Sequence, residues 1–298
     1  MNAKPVPGAT KAQAEESGDR AIWRGMTRCE LDRAYDNLAA VPDGATILQD
    51  YAVRSERLRR RQPDFLDLAY GPRPRNRIDL FRCGRDAAPL LAFIHGGYWQ
   101  RNSKEMFACM AEGPLSNGFD VALIGYTLAP DATLSEIAAE ICAAIRFLRE
   151  YGVRYAVGSG TLVLAGWSAG AHLAATAMEL PEVDAAFCIS GIFDLEPCRL
   201  GKLNDKLNLT ANEVSALSPM RNLPARAVPV ALAYGTGELP ELQRQSQDSH
   251  NALAAQGNPA TLLPLVGANH FSILNELTKP DGKLTVALQQ FVHPLICR

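Results

Sequence analysis

A doubly wound, mostly parallel α/β sheet is the fold class this sequence predicts, and three observations predict it. Short, continuously apolar runs rich in β-branched and aromatic residues recur at 90–95, 121–126, 162–165, 185–190 and 228–234. Strands without polar alternation are buried on both faces, as those of a parallel sheet are. Between them lie stretches with helical spacing at 103–115, 134–151 and 171–180. Such alternation winds into one sheet through right-handed crossovers, with helices on both faces. The third observation is a glycine-framed turn, Gly166-Trp167-Ser168-Ala169-Gly170, joining one of these strands to one of these helices.

The remaining elements follow in chain order. Residues 27–40 and 46–61 carry helical spacing and are separated by the breaker Val41-Pro42-Asp43-Gly44. The second stretch ends in Arg54, Arg57, Arg59, Arg60 and Arg61, a pattern that reads as a solvated face, with attraction of an acidic substrate as the alternative. Residues 65–70 and 77–81 alternate like strands around the turn Gly71-Pro72-Arg73-Pro74, which predicts an antiparallel N-terminal hairpin. Thr133-Leu134-Ser135, followed by Glu136 and Glu140, starts the longest helix. Pro240 starts another. Residues 1–20 are expected to form a flexible tail. Residues 21–298 are expected to form one domain, with the helices of 21–62 covering the edge of the site.

Composition narrows the function classes. The chain has 298 residues, 47% hydrophobic and 21% charged, enough to bury a large core. A formal net charge of −2 argues against general nucleic-acid or anionic-membrane binding. Residues 1–20 lack the apolar centre of a signal peptide, and no apolar run is long enough to span a bilayer. The seven cysteines, at 29, 83, 109, 142, 188, 198 and 297, are scattered and suit a reducing cytoplasm better than a disulfide framework. The five histidines show no metal-ligand spacing. No metal or cofactor is implied. The expected partner is a small-molecule substrate, and the oligomeric state is open, a homodimer included.

The glycine-framed turn carries the chemistry. A strand, a sharp turn and a helix make a nucleophile elbow, with Ser168 at its apex and the Ala169 N–H opening an oxyanion site. A serine hydroxyl needs a base. His270, in the loop after the run 261–266, is the best candidate, because it alone combines a strand-end loop with the order serine, acid, histidine. His172 in the first turn after the elbow reads as a packing residue. Glu238, after the strand 228–234, is the leading acid, and Asp194, after the strand 185–190, is its rival. Glu241 and Asp248 fit solvated or helix-terminal charges. His95-Gly96-Gly97-Tyr98-Trp99 ends a buried strand with two glycines, which lets Gly97 and Tyr98 turn N–H groups toward an oxyanion. Tyr98 and Trp99, beside that loop, and Phe193 are the expected substrate-binding side chains, with core packing as the alternative for Tyr98 and Trp99.

Several stretches resemble the kynurenine formamidase (arylformamidase) branch of the α/β-hydrolases and its bacterial esterase relatives. They are Leu31-Asp-Arg-Ala-Tyr-Asp-Asn37, Val41-Pro-Asp43, Tyr70-Gly71, Ile78-Asp-Leu-Phe81, the 95–99 loop and Tyr126-Thr-Leu-Ala-Pro130. The serine elbow, Ser190-Gly-Ile-Phe-Asp-Leu-Glu-Pro197, Glu238-Leu-Pro-Glu241 with Arg244-Gln-Ser246, and Asn269-His-Phe271 complete the match. The resemblance implies an α/β-hydrolase fold and a Ser168, Glu238, His270 triad with oxyanion donors from the 95–99 loop. It implies a serine hydrolase acting through an acyl-enzyme on a small aryl-bearing formamide or ester, with a general carboxylesterase and an inactive binding protein as alternatives. Two positions depart from the pattern: Trp167 stands where this branch has histidine, and Glu238 where the animal formamidases have aspartate.

Overall fold

Eight strands form one sheet in a computed structural model that describes residues 20–155 and 160–296. They are β1 (Leu68–Ala69), β2 (Arg77–Phe81), β3 (Leu90–Ile94), β4 (Asp120–Ile124), β5 (Leu162–Trp167), β6 (Ala185–Ile189), β7 (Val230–Gly235) and β8 (Ala260–Leu265). The order across the sheet is β1-β2-β4-β3-β5-β6-β7-β8. β1 pairs with β2, and β2 with β4, antiparallel; every other pair is parallel. The expected hairpin is thus the antiparallel edge of a parallel sheet. Of the tail expected at residues 1–20, residues 1–19 lie outside the described residues, as does Cys297.

The strands read as apolar throughout because both faces are covered. Leu90, Ala92 and Ile94 point into one core with Ile137, Ile141, Leu173 and Leu242. Leu91 and Phe93 point into the other with Tyr51, Phe107 and Leu288. Helices Leu134–Tyr155, Ala169–Ala177 and Pro240–Ala255 supply the first set. Gly44–Arg61, the 3₁₀ helix Lys104–Ala111 and Lys283–Ile296 supply the second.

Several boundaries differ from the sequence expectation, for local reasons. The helical stretch 27–40 is two helices, Arg28–Ala34 and Asn37–Ala40, because the Asp36 side chain accepts from the Ala39 N–H and starts a new N-terminus. Helix 103–115 begins as a 3₁₀ helix and becomes α only at Glu112–Ser116. Ser55 interrupts it: its hydroxyl donates to Met106 O and accepts from Cys109 N–H, both at 2.9 Å. Three short helices between β6 and β7, Glu196–Leu200, Asn204–Leu207 and Ala211–Leu217, and the C-terminal helix Lys283–Ile296 were not anticipated. Of the three short ones, the first carries Pro197 in its first turn and the last the capping box Thr210 to Glu213.

The arginine run is also less solvated than its pattern suggests. Arg59 Nε lies 2.8 Å from Asp79 Oδ2, and Lys104 Nζ lies 2.6 Å from Oδ1 of the same fully buried carboxylate. Lys104 also meets Asp67 and Glu105, at 2.7 Å each. Burial pulls its ammonium down, but these carboxylates outweigh burial and hold it above its ordinary value. The cluster ties the helix Gly44–Arg61 to β2 and to the 3₁₀ helix.

Two histidines are core residues. His95, just after β3, stacks on Tyr126 with ring centroids 4.4 Å apart, and its Nδ1 lies 2.9 Å from Gly96 O. His172 Nε2 lies 2.8 Å from Leu217 O, which ties the elbow helix to Ala211–Leu217. Burial pushes each ring from 6.5 to about 4. A histidine whose folded value lies below its unfolded one binds its proton better unfolded. Its stabilising contribution is therefore complete above about pH 6.5 and is lost as pH falls toward 4. The urea midpoint is expected to be level above about pH 7 and to fall between about pH 6.5 and 5, before most carboxylates titrate. A midpoint that stays level through that window would show that these rings are not buried neutral.

Candidate active site

The elbow is built by backbone crowding. A Cβ on Gly166 would overlap the Gly170 carbonyl, and a Cβ on Gly170 would overlap the Ile94 carbonyl. Strand, helix and the end of β3 therefore meet only through glycine. Ser168 is left at φ 57°, ψ −121°, a left-handed conformation that costs about 1–3 kcal/mol and persists only where the surroundings impose it. Its N–H donates to Ile189 O at 2.8 Å. Its Oγ lies 3.1 Å from His270 Nε2.

His270 follows β8, and its Nδ1 lies 3.1 Å from Glu238 Oε2. A carboxylate only accepts, so the ring proton sits on Nδ1 and Nε2 is free to accept from Ser168. The Trp167 Nε1–H donates to the His270 backbone carbonyl at 2.9 Å, and the indole packs on the imidazole with centroids 4.9 Å apart. Asn269 Oδ1 accepts from the N–H groups of Phe271 and Ser272, closing the turn. The Glu238 side chain is wholly buried, and its Oε1 accepts from Ser190 Oγ at 2.6 Å and from Gly235 N–H at 2.7 Å. Asp194 lies elsewhere: its Oδ1 accepts from Arg221 Nη2 and from Glu196 N–H, both at 3.1 Å. Glu241 accepts from Arg244, Trp23 and Tyr35, and Asp248 from Arg244.

The 95–99 loop runs beside the serine. A Cβ on Gly96 would sit 2.9 Å from Ser168 Cβ. Gly97, Tyr98 and Trp99 all have positive φ, at 124°, 53° and 58°. Gly97 O accepts from the N–H groups of Gln100 and Arg101 at 3.0 and 3.1 Å, and Asn102 Nδ2 donates to Gly96 O at 3.1 Å. Among the described residues, no hydrogen bond engages the N–H of Gly97, Tyr98 or Ala169.

Ser168 and His270 line a cavity of about 300 Å³. Its walls come from Tyr98, Trp167, Phe271 and Leu48, and from Tyr35, Asp36, Asn37 and Leu38 of the N-terminal layer. Tyr98 locks that layer in place: its hydroxyl donates to Tyr35 O at 2.6 Å and accepts from Asn37 Nδ2 at 2.8 Å. Arg101 lies on the rim with its guanidinium carbon 5.8 Å from the Tyr98 ring, and Lys202 on the rim pairs with Asp36 at 2.9 Å.

Trp99 and Phe193, expected as substrate-binding residues, do not line this cavity. The left-handed run at 97–99 turns the Trp99 indole behind the loop, where it is fully buried and meets His172 edge-on at 4.9 Å. Phe193 is buried in the core, its N–H donating to Gln245 Oε1 at 2.5 Å. Trp167 and Phe271 take the aromatic wall instead. Sequence reasoning passed over both, although each adjoins a candidate catalytic residue. Tyr35 and Asn37 lie in the motif at 31–37, whereas nothing local distinguishes Arg101 or Lys202. Among the described residues no cluster of histidine, cysteine or carboxylate side chains could hold a metal ion, and no helix is long and apolar enough to cross a membrane.

Known proteins share this architecture. A family model described as BD-FAE matches residues 78–187, which include the 95–99 loop and the elbow. A Silicibacter sp. protein provisionally described as a thioesterase has a crystal structure that superposes with a TM-score of 0.79 at 30% identity, covering 86% of this chain and 98% of that one. The fold is that of the α/β-hydrolases. The kynurenine formamidase of Danio rerio is 28% identical over 295 residues, 91% of this chain and 98% of that protein. That of Salmo salar is 30% identical over 295 residues, 89% of this chain and 97% of its own. Identity carried along nearly the whole of both chains makes this protein a hydrolase belonging to the kynurenine formamidase family.

Proposed function

We propose that the protein is a serine hydrolase that cleaves a small aryl-bearing formamide, with Ser168 as nucleophile, His270 as base and Glu238 as the acid that orients it. The observation that carries this reading is the unbroken chain Ser168 Oγ to His270 Nε2 to Glu238 Oε2, with both contacts at 3.1 Å, opening on an aromatic cavity. His270 takes the Ser168 proton as Oγ attacks the formyl carbon. Glu238 holds the ring with its proton on Nδ1 and stabilises the imidazolium that forms. The N–H groups of Gly97, Tyr98 and Ala169 receive the developing oxyanion. His270 then returns the proton to the departing amine, leaving the formyl group on Ser168, and water attacking with the same base releases formate. A cavity of about 300 Å³ lies at the small end of ligand sites. The same machinery would cleave an ester, a second reading favoured by the thioesterase description of the Silicibacter neighbour. We further read residues 21–298 as one domain. The unpaired cysteines at 29, 83, 109, 142, 188 and 198 suit the cytoplasm.

Ser168→Ala is expected to keep the fold and lower kcat by about 10⁴-fold or more, with loss of labelling by a fluorophosphonate probe. Normal turnover in that variant would end the reading. Glu238→Gln is expected to cost up to about 10⁴-fold in kcat because the wrong ring tautomer is favoured, whereas Asp194→Asn should lie within a few-fold of the parent. The reverse result would redraw the acid. Formamide and ester readings separate on kcat/KM for N-formylkynurenine against short-chain aryl esters. Phe271→Leu is expected to lower kcat/KM for aryl substrates several-fold more than for ethyl esters, since an aromatic contact is worth about 0.5–1.5 kcal/mol beyond burial. Equal losses on both would remove Phe271 from substrate recognition.

A further inference from the structure

Ser190 follows β6 with φ at +53°, a region that favours glycine and disfavours any residue with a Cβ. Its N–H donates to Ala233 O at 2.7 Å and extends the β6–β7 ladder. A glycine could make that bond and adopt that φ without strain. What serine adds is a hydroxyl, and it is completely buried. It donates to Glu238 Oε1 at 2.6 Å, beside the Gly235 N–H at 2.7 Å on the same oxygen. The other oxygen, Oε2, faces His270 Nδ1 at 3.1 Å. The two carboxylate oxygens thus have different work, and the donors on Oε1 keep them apart.

We infer that Ser190 is a positioning residue for hydrolysis: its hydroxyl clamps Glu238 so that Oε2 is presented to His270. This rests on the Ser168–His270–Glu238 reading and extends it to a strand that supplies none of those three residues. The chemistry of the acid explains the need. A glutamate has one more rotatable bond than an aspartate and loses more freedom when ordered. Glu238 projects from the loop after β7, where its own N–H donates to Gly235 O at 3.1 Å. Gly235 N–H alone is a single pivot about which the carboxylate could swing. A second donor from the neighbouring strand fixes its plane. Hydrogen bonds to an ionised acceptor are the stronger class, which makes one hydroxyl sufficient.

The test separates this role from a packing role by using the strain at position 190. Ser190→Ala and Ser190→Gly both delete the hydroxyl, but only glycine relieves the left-handed backbone. Both variants are expected to lose about 10- to 100-fold in kcat with KM changed less than about twofold, the range for one hydrogen bond to a charged group. Ser190→Gly is expected to melt above Ser190→Ala, so that activity and stability part company. In a Glu238→Gln background, Ser190→Gly should cost less than about twofold, because the charge it positions is gone. Parent-like kcat in Ser190→Gly, beside an inactive Glu238→Gln, overturns the clamp and leaves the triad standing. An undiminished loss in the Glu238→Gln background also overturns it, since Ser190 would then act by another route. Full activity of Glu238→Gln alone overturns the acid assignment, and the clamp with it.

Discussion

Backbone crowding where β5, its following helix and the end of β3 converge is the constraint on which the site depends. The parallel register sets Ile94 opposite Gly166, so the ends of the two strands lie level. Neither Gly166 nor Gly170 has room for a Cβ, and Ser168 between them is driven to positive φ. The same register brings Gly96 against Ser168, so the 95–99 loop and the first N–H of the elbow helix lie together. Nothing in this arrangement depends on side-chain choice beyond small size. It is geometry imposed by hydrogen-bonded backbone, and it is rigid for that reason.

Polar groups around this point are held from several strands. Ser190 and Gly235, after β6 and at the end of β7, hold Glu238. Trp167, at the end of β5, holds the His270 backbone. Tyr126 donates to His95 O at 2.9 Å, and His95 stacks on its ring, so the loop after β3 is braced from the end of β4. Each side chain is therefore oriented before any substrate arrives. Preorganised dipoles are worth more than the same groups free to turn, because no reorganisation is needed as charge develops.

The N-terminal layer joins the cavity wall by a different device. Asn37 and the Tyr35 carbonyl engage the Tyr98 hydroxyl, while Tyr35 OH accepts from Gln245 Nε2 at 2.8 Å. A residue of the 95–99 loop thus anchors that layer. The rim bears Arg101 and the Asp36–Lys202 pair, and the walls below are aromatic and aliphatic. A small ligand with an aryl body and a polar end matches that gradient.

Local sequence by itself determined the strands, the long helices other than the C-terminal Lys283–Ile296, the elbow and the candidate serine and histidine, because these follow from apolar runs, glycine pairs and loop position. It left Glu238 and Asp194 as rivals, since both follow a buried strand; only the fold sends one to His270 and the other to Arg221. It left Trp99 between pocket wall and core, because which face a side chain takes along a run of positive-φ residues is not written in their spacing. It missed the short helices at 196–217, whose one or two turns give no periodicity to detect. It took Arg59 for a surface charge, because its partner Asp79 lies on another element. What tertiary structure alone decided was therefore pairing between distant elements: which carboxylate meets which cation or ring, and which aromatic faces the cavity. Such choices are set by strand register and crossover path, and no window of neighbouring residues contains them.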